Sequence, residues 1–126
     1  MDIRKMEKAA VAALEDIKAR DIVVLKVAHL SPLFERMIIA SADSTRQVKA
    51  LASNVRDKLK ERGYPVLSVE GEDSGEWVLV DLGAIVVHVM QPTIRQYYNL
   101  EELWDHPETK RPHARKKEAQ ARPAAV

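Results

Sequence analysis

The 126-residue chain has no cysteine, four glycines, one phenylalanine and no apolar run long enough to span a bilayer. Without cysteine there is no disulfide framework, no thiolate metal site and no thiol nucleophile, which suits a reducing compartment. The glycines, Gly63, Gly71, Gly75 and Gly83, build no G-x-G-x-x-G turn, no Walker phosphate loop and no G-x-S-x-G elbow, so nucleotide cradling is disfavoured. The histidines, His29, His88, His106 and His113, lack ligand spacing, and no pair stands at i, i+4 on one helical face. Neither a metal nor a cofactor is expected. Residues 1–20 carry charges throughout and hold no apolar block resembling a signal peptide, so a soluble cytoplasmic protein without a membrane partner is expected.

What the chain does contain is a high apolar content, 46%, sufficient for one compact domain at this length. Its net charge of +1 conceals an asymmetry. Residues 107–126 hold six bases against two acids, leaving 14 bases against 17 acids in the rest. Two regions are therefore expected, a folded domain over residues 1–106 and a basic, disordered tail over residues 107–126. Within the domain, residues 70–105 hold eight acids and a single base, Arg95. Such a segment repels phosphate backbones and suits a basic protein surface.

Ile3, Met6, Ala10, Ala13, Leu14 and Ile17 recur at helical spacing, which predicts an amphipathic helix over residues 2–20. The β-branched run 22–27 then predicts a strand, and residues 37–40 a second. Ser44-Thr45-Arg46-Gln47 reads as a capping box, the serine hydroxyl accepting from an orphan amide and the glutamine side chain reaching back. The helix it opens shows its apolar face at Val48, Leu51, Ala52, Val55 and Leu59, and Gly63 followed by Pro65 closes it. A third strand is expected over residues 66–69. Beyond Pro92, Thr93 with Gln96 and Asn99 with Glu102 read as caps of two short helical turns. The order describes an α/β single domain, a mixed sheet of about five strands with helices packed on it. Only one pair of neighbouring strands can be named.

That pair lies in WVLVDLGAIVVHVM, residues 77–90, where a turn at Gly83-Ala84 joins two strands into a hairpin. In this register Val78 faces Val89, Val80 faces Val87 and Leu82 faces Ile85, an aliphatic side that belongs to the core. The other side pairs Trp77 with Met90, Leu79 with His88 and Asp81 with Val86. Trp77 and Met90 are expected to point outward as an interface patch, since Trp and Met are enriched at protein interfaces. Asp81 and His88 together could serve acid–base chemistry, but with no nucleophile nearby they read as an exposed carboxylate and an imidazole on a half-wet face. Tyr97, Tyr98 and Trp104 are assigned to neither core nor surface by their spacing.

The second helix carries Arg46, Lys49, Arg56, Lys58, Lys60 and Arg62. Asp57 and Glu61 interleave with them and no aromatic offers a stacking platform, so the expectation is a solvated face. The basic tail is the better candidate for a weak contact with ribosomal or other RNA, and a solubilising end is the plainer reading.

Several blocks resemble the bacterial ribosomal silencing factors, also called Iojap-type proteins. They are Ser44 with Arg46-Gln47-Val48 and Ala50-Leu51-Ala52; Gly71 after Glu70; Trp77 through Gly83 and Val86 through Met90; and Arg95 with Tyr98, Leu100-Glu101 and Leu103-Trp104. The resemblance covers nearly the whole domain, to Trp104. It implies a nucleotidyltransferase-like fold without transferase activity, hence not an enzyme. It also implies a translation repressor that binds the large ribosomal subunit, chiefly at ribosomal protein fourteen on the joining face, and blocks the small subunit when nutrients are scarce. Carried over to this chain, the partner-facing residues are Trp77, Leu79, Asp81, His88, Met90 and Tyr98, and the same face could hold a second copy in a homodimer. Ala42 stands where many members have glycine, and Ala84 where many have aspartate. Two other functions compete: a diverged nucleotidyltransferase around Asp43-Ser44, although no G-S turn followed by D-x-D occurs, and a generic RNA-binding module.

Overall fold

The computed structural model describes residues 2–104; the basic tail lies outside the described residues. Asp2 caps the first helix, α1 (Ile3–Asp16), its Oδ1 accepting from the amides of Arg4 and Lys5 at 3.0 and 3.3 Å. The helix stops earlier than its apolar period suggests, because the chain turns through a left-handed residue at Lys18, φ 62°. Strands β1 (Arg20–Lys26) and β2 (Arg36–Ser41) follow, then α2 (Thr45–Glu61), β3 (Ser68–Glu70), β4 (Trp77–Asp81), β5 (Ile85–Met90), α3 (Pro92–Tyr98) and α4 (Leu100–Leu103).

The strands form one five-stranded sheet in the order β1-β2-β5-β4-β3. Strand β2 runs parallel to β5, and the other neighbours are antiparallel. The hairpin register is the one expected: Trp77 opposite Met90, Leu79 opposite His88, Asp81 opposite Val86. At its tip Gly83 takes φ 89°, and the Leu82 amide donates to the Ile85 carbonyl at 2.9 Å.

Helices α1 and α2 cover one sheet face. Met6, Ala10 and Leu14 from α1 and Val48, Leu51, Val55 and Leu59 from α2 bury against Val24, Ile38, Val78, Val80, Val87 and Val89. Polar bolts fix the angle of this layer. Asn54 Nδ2 donates to the Ala13 carbonyl at 2.7 Å, and the largely buried pair of Glu7 and Arg36, 3.0 Å apart, ties α1 to the start of β2. The capping box is realised by half. Ser44 Oγ accepts from the Gln47 amide at 3.1 Å, but the Gln47 side chain donates to the Ile17 carbonyl, 3.1 Å away, joining the two helices instead of closing its own.

The opposite sheet face has its own smaller core, and this overturns one expectation. Met90 is fully buried, packed with Val23, Leu25, Val27, Met37 and Ile39. The cause is the chain's return: Pro92 opens α3 immediately after β5, and Ile94, Leu100 and Trp104 are laid over the sheet as a roof. Phe34 meets Trp104 with ring centroids 5.9 Å apart. Neither short helix uses its expected cap: Gln91, the N-cap of α3, makes no side-chain cap bond, and Asn99, left-handed at φ 48°, donates from Nδ2 to Glu102 at 3.0 Å. Arg95 pins the roof. Its Nε donates to Glu101 at 2.8 Å and its Nη1 to the buried hydroxyl of Ser41 at 2.7 Å.

Candidate partner-binding face

The roof covers the sheet from β1 to the end of β5 and stops there. Beyond it, on the same face, Leu79 and Asp81 of β4 stand beside their cross-strand neighbours Glu70 and Ser68 of β3, each half-buried or exposed. Tyr98 forms the boundary. Its ring lies 4.9 Å from the Trp77 indole, centroid to centroid, and it remains 52% exposed, with Tyr97 edge-on to it at 5.0 Å.

Trp77 is half-buried and its indole is held in place. Nε1–H donates to His88 Nδ1 at 2.9 Å, which fixes the imidazole as the neutral tautomer with its proton on Nε2. His88 is itself only 8% exposed, and burial pushes its pKa down to about 4. The expectation of a half-wet imidazole is thus corrected: the ring is dry, uncharged and committed to Trp77, which removes it from acid–base work with Asp81. Asp81 also has a structural part that sequence reasoning missed, since its Oδ1 accepts from the Gly83 amide at 2.9 Å and braces the hairpin tip.

Of the six expected residues, the structure brings Trp77, His88 and Tyr98 into ring contact, sets Leu79 opposite His88 and Asp81 at the tip, and withdraws Met90 beneath the roof. Glu70 joins the face and was not singled out as a site residue. The register of β3 on β4 shows Glu70, and only the alternation of a three-residue strand could have signalled it. Among the described residues none of Glu70, Glu72, Asp73, Glu76 and Asp81 forms an ion pair.

The polar groups at the start of α2 are engaged in holding the fold. Asp43 pairs with Arg20, Ser44 caps the helix and Ser41 takes Arg95. Among the described residues no group of three or more His, Cys, Asp or Glu is placed to hold a metal ion, and no helix is long and apolar enough to cross a membrane. What the geometry assembles is a partly exposed aromatic and aliphatic patch bordered by Glu70 and Asp81, which form no ion pair among the described residues.

The family model described as "Ribosomal silencing factor during starvation" matches residues 1–126. The Chromobacterium violaceum protein named Ribosomal silencing factor RsfS is 56% identical over 104 residues, 82% of this chain and 85% of that one. A crystal structure of a protein from the same organism superposes with a TM-score of 0.81 at 54% identity, covering 85% of this chain and 91% of that one. A mouse protein named "Mitochondrial assembly of ribosomal large subunit protein 1" is 36% identical over 97 residues, 75% of this chain and 42% of its own length. The chain belongs to the ribosomal silencing factor family, whose name is that of a regulator and not of an enzyme.

Proposed function

We propose that this chain is a cytoplasmic repressor of translation that docks the β3–β4 half of its outer sheet face on the large ribosomal subunit, chiefly on ribosomal protein fourteen at the joining face. Bound there, it excludes the small subunit sterically and needs no turnover. The observation that carries this reading is the patch of Leu79, Trp77 and Tyr98, with Asp81 and Glu70 beside it. An aromatic anchor with an anionic rim suits a basic ribosomal protein, the rings supplying affinity and the carboxylates orientation. The family name and the large-subunit name of the mouse relative point to the same assembly.

Sedimentation of mixed ribosomal subunits tests it. The protein is expected to move joined particles into separate subunits and to travel with the large one. Asp81→Arg reverses the rim charge and is expected to weaken large-subunit binding at least tenfold, while thermal unfolding shows the domain intact. Full retention of affinity in Asp81→Arg and in Leu79→Asp removes this patch from the interface.

A further inference from the structure

Helix α2 has a flank that the docking of the sheet face leaves unused. It buries Val48, Leu51, Ala52, Val55 and Leu59, and it turns Gln47 and Asn54 toward α1. At 3.6 residues per turn, Arg46, Lys49, Arg56 and Lys60, with Ser53 in the gap, share the opposite flank along about 21 Å of axis. Asp57 and Glu61 fall on the adjoining, more solvent-facing stripe, and Asp57 reaches back to pair with Arg56 at 3.0 Å. The flank runs beside the β3–β4 turn, because Lys49 packs against Gly75: a Cβ there would lie 3.1 Å from Lys49 Cε. The same turn carries Glu72, Asp73 and Glu76, none of which forms an ion pair with the stripe among the described residues.

Among the described residues Arg46, Lys49 and Lys60 have no acidic partner. Arg56 donates only Nε to the adjacent Asp57, which leaves its terminal amino groups for another acceptor. We propose that this flank binds the phosphate backbone of structured RNA, in addition to the protein-docking face and independently of it. The sheet face combines rings with carboxylates; the flank offers cations in a line, one hydroxyl among them and no exposed apolar anchor. A protein partner needs such an anchor, whereas regularly repeating phosphates need only the cations. With no ring to stack on a base, the binding is indifferent to sequence.

The test is titration of the full chain with a short labelled RNA duplex at several salt concentrations. Neutralising the flank as Arg46→Gln, Lys49→Gln, Arg56→Gln and Lys60→Gln is expected to weaken binding at least tenfold at low salt. The slope of log affinity against log salt should fall by about three, since each phosphate that a cation neutralises adds a little under one to it. Lys8→Gln with Lys58→Gln, which lie off the flank, should leave the slope nearly unchanged. Leu79→Ala should keep RNA affinity while losing large-subunit binding, so that failure of one interface is told apart from failure of the other. An unchanged slope in the fourfold variant, an equal loss in the off-flank variant, or equally tight binding of polyglutamate would overturn the proposal.

Discussion

On one half of the outer sheet face Val23, Leu25, Met37, Ile39 and Met90 lie under α3 and α4; on the other half Leu79, Asp81, Ser68 and Glu70 stay half-buried or exposed. Both halves use the same pleat, and one strand pair, β4 and β5, serves both, Met90 roofed and its neighbour Leu79 not. The pleat decides which side of the sheet a residue is on. Where the chain returns decides which part of that side is dry. The roofed half contributes stability, and the bare half leaves Leu79, Asp81 and Glu70 accessible, the group proposed above to meet a partner.

The comparison is broken most directly by truncating one residue on each half. Met90→Ala removes a fully buried thioether and is expected to cost about 4 kcal/mol of unfolding free energy, whereas Leu79→Ala should cost about 1 kcal/mol or less, both read by urea denaturation. Equal costs would mean that the bare half is as tightly built as the roofed one.

Acid probes the seam between the halves. His88 sits at about 4 in the folded protein against an ordinary value of 6.5, so the unfolded chain takes up a proton first. Its contribution to stability is complete above pH 6.5, declines as pH falls toward 4 and is then exhausted, a loss of roughly 3 kcal/mol. Protonating Nδ1 also ends its acceptance from Trp77, so indole fluorescence should change over the same interval, and His88→Phe should abolish both effects.

The smallest effect sharpens the contrast. Asp81→Asn keeps an oxygen for the Gly83 amide and loses the charge, so stability should move by less than about 0.5 kcal/mol while large-subunit binding becomes less sensitive to salt.

The legible part of this molecule was the part governed by local periodicity. Alternation over residues 77–90 with Gly83 at its centre suffices for the hairpin and its register, and Val48, Leu51, Val55 and Leu59 suffice for the buried side of α2. The outward Trp77 and Met90 were half legible, because alternation names a side of the sheet and is silent on what later covers it. The roof depends on Arg95 reaching Ser41, 54 residues away in sequence, and on Glu101 beside it, a meeting that no local pattern announces. Gln47 shows the same limit on a smaller scale: its spacing from Ser44 fits a cap, and a carbonyl on another helix won the side chain. For the candidate face, residue types and strand positions could be read, and the state of His88 could not, since it is set by how completely the neighbouring elements close around the ring.

The parallel pairing of β2 with β5 joins Arg36–Ser41 to Ile85–Met90 across α2, β3 and β4. During synthesis β2 therefore has a vacant inner edge until the sixth strand residue, Met90, has left the ribosome, and its two apolar faces wait with it. The closing of the sheet's middle is a late, long-range event, and the factor becomes whole only when nearly all of its domain has been made.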